Sequence, residues 1–291
     1  MRIAVIGPGA IGCLLAARMQ LVGMDVVLVD HSAERAKRLQ ARGITLEDSN
    51  GRREVPVACV SSVPSGVSLQ IVAVKSYHTS SLALRDDAQI LSVQNGLGNI
   101  ETLCDRFGSE LLLCGVTSEA ATLEAEGHVR HAASGETIIG SWTTADTANS
   151  MQAFQKAGFR AETTESPGQA LWGKVIVNAG INPLTAMVDI PNGRLLEISE
   201  LRALLRTLIV EAVKVAATEG YRFEKSMVEY AEDVCRATAT NISSMLQDIR
   251  ANRQTEIEAI SGEILRRAEL ASLPCPRTRV VYQLIKGMEQ R

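Results

Sequence analysis

Lys174 and Asn178 stand four residues apart in Leu171-Trp172-Gly173-Lys174-Val175-Ile176-Val177-Asn178-Ala179-Gly180-Ile181-Asn182-Pro183-Leu184, a stretch that is otherwise almost wholly apolar. On a helix that spacing puts both side chains on one face. An ammonium and two amides among apolar side chains cost free energy unless they line a polar cavity. The chemistry they then offer is a substrate site with a proton donor, since an ammonium can protonate an oxygen that gains charge. The plainer reading is a lysine whose tip reaches solvent and amides that cap the helix before Pro183. The charge and both amides fall on one element, which favours the substrate site.

A second polar run, Asn241-Ile242-Ser243-Ser244-Met245-Leu246-Gln247-Asp248, leads into Arg253-Gln254-Thr255-Glu256-Ile257-Glu258. If residues 244–271 form one helix, Ser244 and Glu256 lie about 120° apart around it and about 18 Å apart along its axis. Residue types alone do not select Glu256 over Glu258 or Glu263. The histidines (His31, His78, His128, His131) form no H-E-x-x-H or Cys/His ligand pattern, so no metal is expected, and no Ser–His–Asp constellation stands out.

Gly7-Pro8-Gly9-Ala10-Ile11-Gly12 is G-x-G-x-x-G placed after an apolar strand and opening a helical pattern. The first glycine permits the tight turn, the second admits a pyrophosphate to the backbone, and the third lets helix and strand pack closely. The helix N-terminus then offers its N–H groups to a diphosphate. This context favours dinucleotide binding over an ordinary glycine turn. Asp30 ends the second strand, where a carboxylate accepts hydrogen bonds from the adenosine ribose and repels a 2′-phosphate, favouring NADH. Arg35, Lys37 and Arg38 on the next helix remain available to a phosphate, and Asp30 could alternatively be only that helix's N-cap. Lys75 and Asn95 end apolar strands on the side where open α/β sheets bind ligands; the alternative for each is a solvated loop residue.

These residues require positioning elements, and the first 140 or so residues supply them by alternating β-branched runs with helix-period segments. Arg2–Ile6, Val26–Val29, Leu69–Val74, Gln89–Val93 and Leu111–Gly115 read as strands, with helices over Ala10–Val22 and Ser32–Ala41. Nearly continuous apolar runs imply a parallel sheet buried on both faces. Ile44–Glu47 and Glu54–Ala58 flank the turn signal Asp48-Ser49-Asn50-Gly51 as a hairpin. His128–His131 and Thr137–Ile139 read as an antiparallel pair at the far edge of the sheet. Beyond Pro167 long helix-period stretches take over: Leu171–Ala179, Glu200–Thr218, Lys225–Thr238 and Ser244–Ala271. The fold class expected is therefore an α/β Rossmann-type doubly wound sheet (1–166, dinucleotide-binding) followed by an all-α domain (167–291, substrate and catalysis).

The length of 291 residues suits two domains, and 46% hydrophobic with 22% charged residues excludes a disordered chain. Net charge is −3, divided −4 before residue 167 and +1 after it, so neither part has the basic excess of a nucleic-acid binder. Aromatics at 3% offer no base-stacking surface. Six cysteines without a C-x-x-C pair read as reduced thiols of a cytoplasmic protein, and neither a signal peptide nor a membrane span is expected.

In order and spacing, the glycine loop, Val74-Lys75, Gln94-Asn95-Gly96-Leu97-Gly98, Lys174 through Pro183, Pro191-Asn192-Gly193, Ser243 through Asp248 and Thr255-Glu256-Ile257 resemble the ketopantoate reductase family over essentially the whole chain. The resemblance implies reduction of ketopantoate to D-pantoate, usually with NADPH, in the pantothenate branch leading to coenzyme A. It makes Lys174 the general acid and Glu256 a catalytic carboxylate near nicotinamide and substrate. It makes Asn178, Asn182, Asn192, Asn241 and Ser244 substrate contacts, and Lys75, Asn95 and Ala121 cofactor contacts. The chain departs from many relatives at Asp30-His31, where they carry a small residue followed by arginine. The family resemblance thus implies NADPH while Asp30 favours NADH. The alternatives are an NADH-dependent D-2-hydroxyacid dehydrogenase of the mandelate type, and a non-catalytic nucleotide sensor, which would be expected to lack the acid and amides present here. The expected partner is a small 2-keto acid, with the chain a monomer or homodimer.

Overall fold

The apolar runs of the first half pair as a sheet because each strand carries aliphatic side chains on both faces. In a computed structural model that describes residues 1–290, the strands are β1 (Arg2–Ile6), β2 (Asp25–Val29), β3 (Ile44–Asp48), β4 (Gly51–Val55), β5 (Ala58–Val60), β6 (Leu69–Val72), β7 (Gln89–Ser92), β8 (Leu112–Thr117), β9 (Ala120–Ala125), β10 (His128–Ala133), β11 (Glu136–Ser141) and β12 (Arg160–Thr163). The helices are α1 (Ala10–Leu21), α2 (Ala33–Arg42), α3 (Asn99–Phe107), α4 (Ala148–Lys156), α5 (Pro167–Val188), α6 (Arg194–Glu197), α7 (Ser199–Thr218), α8 (Met227–Ala237), α9 (Ser244–Arg250), α10 (Glu263–Leu270) and α11 (Pro276–Met288).

The main sheet has the order β12-β11-β8-β7-β6-β1-β2-β5. From β5 to β8 all neighbours are parallel, β11 runs antiparallel to β8, and β12 is parallel to β11. The winding direction reverses at β1, so the loop leaving β1 lies at the topological switch point where such sheets take ligands. β3 and β4 form the expected hairpin, and a second sheet of order β4-β3-β10-β9 packs on α1. Ile3, Val5, Leu28, Leu69 and Ile71 are buried with Leu14 and Met19 of α1. Each such aliphatic side chain contributes roughly 1.5–3 kcal/mol on burial.

By its contacts the chain divides into two compact units, 1–94 with 99–167 and 95–98 with 168–291. The first is the Rossmann-type unit. The second is all-helical apart from connecting segments, with the four residues Asn95–Gly98 counted in it. Among the described residues no helix is long and apolar enough to cross a membrane.

Three expectations need correction. β10 and β11 do not pair with each other: β10 pairs with β9 and β3 in the second sheet, while β11 joins β8 in the main one. The chain changes sheets at residues 118–119 and returns at 134–135. The two crossings touch so closely that a Cβ on Gly135 would stand 2.2 Å from the Ser118 carbonyl. Residues 244–271 are not one helix. α9 stops at Arg250, Asn252 adopts a left-handed φ of 50°, and one π-helical turn (Glu258–Gly262) precedes α10. Finally, α5 does not end before Pro183 but continues to Val188. An interior proline costs about 3 kcal/mol, and burial of Ile181, Leu184 and Ala186 around it offsets that cost.

Candidate active site

The glycine loop has the backbone its motif requires. Gly7 takes φ +102°, and a Cβ there would meet Val74 at 2.6 Å. A Cβ on Gly12 would lie 1.9 Å from the Gly7 carbonyl oxygen, so only glycine lets α1 start this close to the loop. At Gly9 the same construction finds only the Ala73 carbonyl oxygen, 4.0 Å away, so the loop is open on that side. No side chain caps α1 and its first turn has no acidic residue. Bare N–H groups, the positive end of the helix and an open glycine face together fit a dinucleotide's pyrophosphate.

Asp30 is not the cap of α2. Ser32 is, its hydroxyl accepting the Arg35 N–H. The Asp30 side chain is 0% exposed and is grasped by Arg35. The Arg35 Nε–H donates to Oδ2, Nη2 donates to Oδ1 at 2.7 Å, and the Ser32 N–H donates to Oδ1 at 3.0 Å. Burial alone would raise this carboxyl, but the hydrogen bonds from Arg35 and Ser32 outweigh it and hold it below the usual carboxylate range. The outward group at the end of β2 is therefore the Arg35 guanidinium, 36% exposed, beside His31 at 81%. Arg38 is engaged elsewhere, paired bidentately with Glu126.

Lys75, half-buried, opens a 3₁₀ turn (Ser76–Ser81) beyond β6. Its surroundings are fixed by a buried network the sequence did not single out. Ser92 donates to Gln94 Oε1 at 3.0 Å, while Gln94 Nε2 donates to the Val74 carbonyl at 3.1 Å and to Thr79 Oγ1 at 2.7 Å. Thr79 in turn donates to Asn99 at 2.8 Å. Ala121 lies in β9 opposite His131, whose Nδ1 accepts from Arg18 at 3.2 Å and whose Nε2 meets Glu119 at 2.5 Å. An arginine only donates, so Nδ1 carries no proton and Nε2–H faces Glu119.

In the second unit, α5 carries Lys174, Asn178 and Asn182 in one stripe, the lysine and first amide half-buried and Asn182 buried. Glu256, 6% exposed, sits just before the π-helical turn and accepts a hydrogen bond from Asn95 Nδ2 at 3.4 Å. Asn192 is joined to Asn241 by its own N–H, which donates to the Asn241 carbonyl at 3.0 Å. Its Nδ2 donates to Thr238 Oγ1 at 2.9 Å, and Thr238 spends its own proton on the Val234 carbonyl. That arrangement fixes the amide orientation and leaves Asn192 Oδ1, a buried acceptor, without a partner among the described residues. Ser244 is exposed at the start of α9. Its neighbour Ser243 caps the helix and hydrogen-bonds Thr185 of α5 at 2.7 Å, a role that its place before an apolar run could have signalled.

Residues 3–144 match the family described as ketopantoate reductase PanE/ApbA, and residues 168–289 match the ketopantoate reductase PanE/ApbA C-terminal family. The chain belongs to the ketopantoate reductase family. It is thus an NAD(P)-dependent oxidoreductase acting on a CH–OH group. It is 36% identical to the 2-dehydropantoate 2-reductase of Halobacterium salinarum, with 98% of each chain covered, and 33% identical to that of Archaeoglobus fulgidus, with 99% and 98% covered. Among solved structures it resembles a PanE/ApbA family ketopantoate reductase from Ralstonia eutropha at 30% identity and TM-score 0.90, over 100% of this chain and 99% of that one. D-mandelate dehydrogenase with NADH and anilino(oxo)acetate shares the fold at TM-score 0.92 and 23% identity, with 100% and 99% covered.

Within this ketopantoate reductase family member, the site residues expected from sequence fall in two groups. Gly7 through Gly12, Asp30, Lys75 and Ala121 belong to the first unit. Asn95, Lys174, Asn178, Asn182, Asn192, Asn241, Ser244 and Glu256 belong to the second. Asn95 meets Glu256, and Asn192 meets Asn241. Gln94, Thr79 and Ser243 are the supporting residues that residue type alone did not mark, while Arg35, expected as one of three cations available to a phosphate, is the one that pairs with Asp30.

Proposed function

We propose that this enzyme reduces ketopantoate to D-pantoate with NADPH. The observation that carries the substrate reading is the buried Asn192 carbonyl oxygen, which has no partner among the described residues, in a chain 36% and 33% identical to two 2-dehydropantoate 2-reductases over nearly their whole length. A buried acceptor left unpaired costs roughly 1–3 kcal/mol. Ketopantoate brings a terminal hydroxyl to donate to it, whereas an aryl keto acid such as benzoylformate has none.

A nicotinamide nucleotide held by the Gly7–Gly12 loop would supply the hydride that the carbonyl carbon accepts. Lys174 gives a proton to the carbonyl oxygen as that oxygen gains charge, so the C=O becomes CH–OH, and the lysine is then reprotonated from water. Proton donation of this kind contributes typically 10²–10⁴ in rate. Glu256 favours the charged lysine and accepts from the hydroxyl that forms at the reduced carbon, while Asn178 and Asn182 bind the carboxylate's oxygens without adding net charge. Arg35 supports the choice of NADPH, because the group exposed at the end of β2 is its guanidinium while the Asp30 carboxylate is covered.

Steady-state rates on ketopantoate and benzoylformate, each with NADPH and NADH, test the reading. Turnover of ketopantoate with NADPH is expected to be fastest. No turnover of ketopantoate with either nucleotide would sink it, and preferred turnover of benzoylformate with NADH would install the mandelate-type alternative.

A further inference from the structure

Glu256 is followed by an irregularity that ordinary helix physics does not supply, since π-helical turns are rare and recur at functional sites. The segment that carries Glu256 is fastened on both sides. On its N-terminal side Thr255, 1% exposed, donates both its N–H (2.8 Å) and its hydroxyl (2.6 Å) to Glu289 Oε1 beyond α11. The same hydroxyl accepts the Ile257 N–H at 3.2 Å, so Thr255 acts as a cap over Glu256. On the C-terminal side Glu258 receives the Tyr282 hydroxyl at 2.8 Å and the Lys286 ammonium at 3.1 Å, and Lys286 also pairs with Glu289 at 3.0 Å. The last two turns of α11, with Glu289 just beyond them, thus hold both flanks of the carboxylate.

The π-helical turn makes the third attachment. The Ala259 carbonyl accepts the Leu97 N–H at 2.7 Å, and Gly96, at φ +88°, lies so close that a Cβ would be 2.5 Å from Ala259. Asn95 is the next residue back, and its amide is the one on Glu256. Position and hydrogen-bond partner of the carboxylate are therefore set by the same turn. A 1 Å displacement at such a site can cost on the order of 10²-fold in rate.

We propose that Glu289 is a positioning residue for the reduction, acting through Thr255 to hold the Glu256 carboxylate against Asn95. This rests on the reading that Glu256 serves the reaction. Burial is the largest single influence on Glu289 and pushes its carboxyl up, yet the hydrogen bonds from Thr255 and Lys286 prevail and keep it below the ordinary range, so it stays an acceptor near neutral pH.

The test is a double-mutant cycle on the full-length enzyme, with kcat/KM measured for ketopantoate and for benzoylformate at saturating NADPH. Glu289→Ala is expected to lower kcat/KM at least tenfold with Tm and nucleotide Kd little changed, and to add nothing in a Glu256→Ala background. Thr255→Val is expected to reproduce the loss and Thr255→Ser to restore activity. A crystal structure of Glu289→Gln provides a reading independent of turnover, and is expected to show the contact between Asn95 and Glu256 intact with Thr255 still donating. Full activity of Glu256→Ala would remove the underlying reading and this proposal with it. Loss in Glu256→Ala without loss in Glu289→Ala or Thr255→Val, or equal losses that multiply in the double variant, would overturn the positioning role alone. Should Glu289→Ala not fold, the Thr255 pair decides.

Discussion

Replacing Arg35 by alanine should change which nucleotide the enzyme uses. Arg35 now satisfies two positions of a fully buried carboxylate and presents the rest of its guanidinium outward. In Arg35→Ala the Asp30 carboxylate keeps the Ser32 N–H and loses its cation. A 2′-phosphate there forfeits a charge-assisted hydrogen bond worth about 1.5–3 kcal/mol. It also faces an unpaired negative charge, whose repulsion is bounded by about 4 kcal/mol at 4 Å for an effective dielectric constant of 20. Solvent at a site where the arginine is 36% exposed screens most of that second amount. A net loss of about 2–3 kcal/mol corresponds to a roughly 30- to 150-fold lower kcat/KM for NADPH. For NADH the uncovered carboxylate can accept the ribose hydroxyls, so kcat/KM should hold or rise. Initial rates with both nucleotides at fixed ketopantoate measure the ratio, with Arg38→Ala as control, since that guanidinium is committed to Glu126. A ratio in Arg35→Ala within threefold of the parent's would refute the assignment of the phosphate to Arg35.

Other perturbations read other parts of the structure. Lys174→Ala should lower kcat by about 10²–10⁴ while leaving nucleotide affinity, followed by fluorescence titration, within twofold; full reductase activity would exclude it as the acid. Gly96→Ala forces a left-handed non-glycine residue into contact with Ala259 and should destabilise the protein by about 2 kcal/mol or more in urea melts; an unchanged midpoint would mean the loop is not held as described. Glu232 accepts from Arg202 and Arg206, and these bonds lower its carboxyl to about 2. A depressed carboxyl stabilises the fold above its unfolded-state pKa and loses that contribution as pH falls toward the folded value. The urea midpoint should therefore drop between about pH 4.5 and pH 2, and Glu232→Gln should flatten that limb; an acid limb of the same depth in the variant would place the effect elsewhere.

The central strands and α1 were legible because a buried parallel sheet leaves uninterrupted β-branched runs, and because glycine spacing reports a close approach that only glycine permits. The partner of β10 was not, since pairing in one sheet or another leaves the same alternating pattern in a six-residue strand. Helix-period residues from 244 to 271 concealed the break that carries Glu256. Its cause is long-range: a carboxylate from beyond α11 and a loop from residue 97 hydrogen-bond the segment, and periodicity contains neither. Asp30 was read correctly as a carboxylate at the end of β2, but its net effect depends on Arg35, a pairing that requires the side chains to be seen. Pro183 misled in the other direction, because tertiary burial outweighs a local propensity.

Because Asn95–Gly98 is bonded to the π-helical turn, the helical unit has no clean cut site. A fragment starting at residue 168 would contain the whole of the C-terminal family match and still lack the strip that covers Ala259. The Leu97 N–H that bonds the Ala259 carbonyl would be missing from it. Attempts to graft this helical unit onto a different nucleotide-binding partner therefore have to transplant the Asn95–Gly98 loop that follows β7 as well.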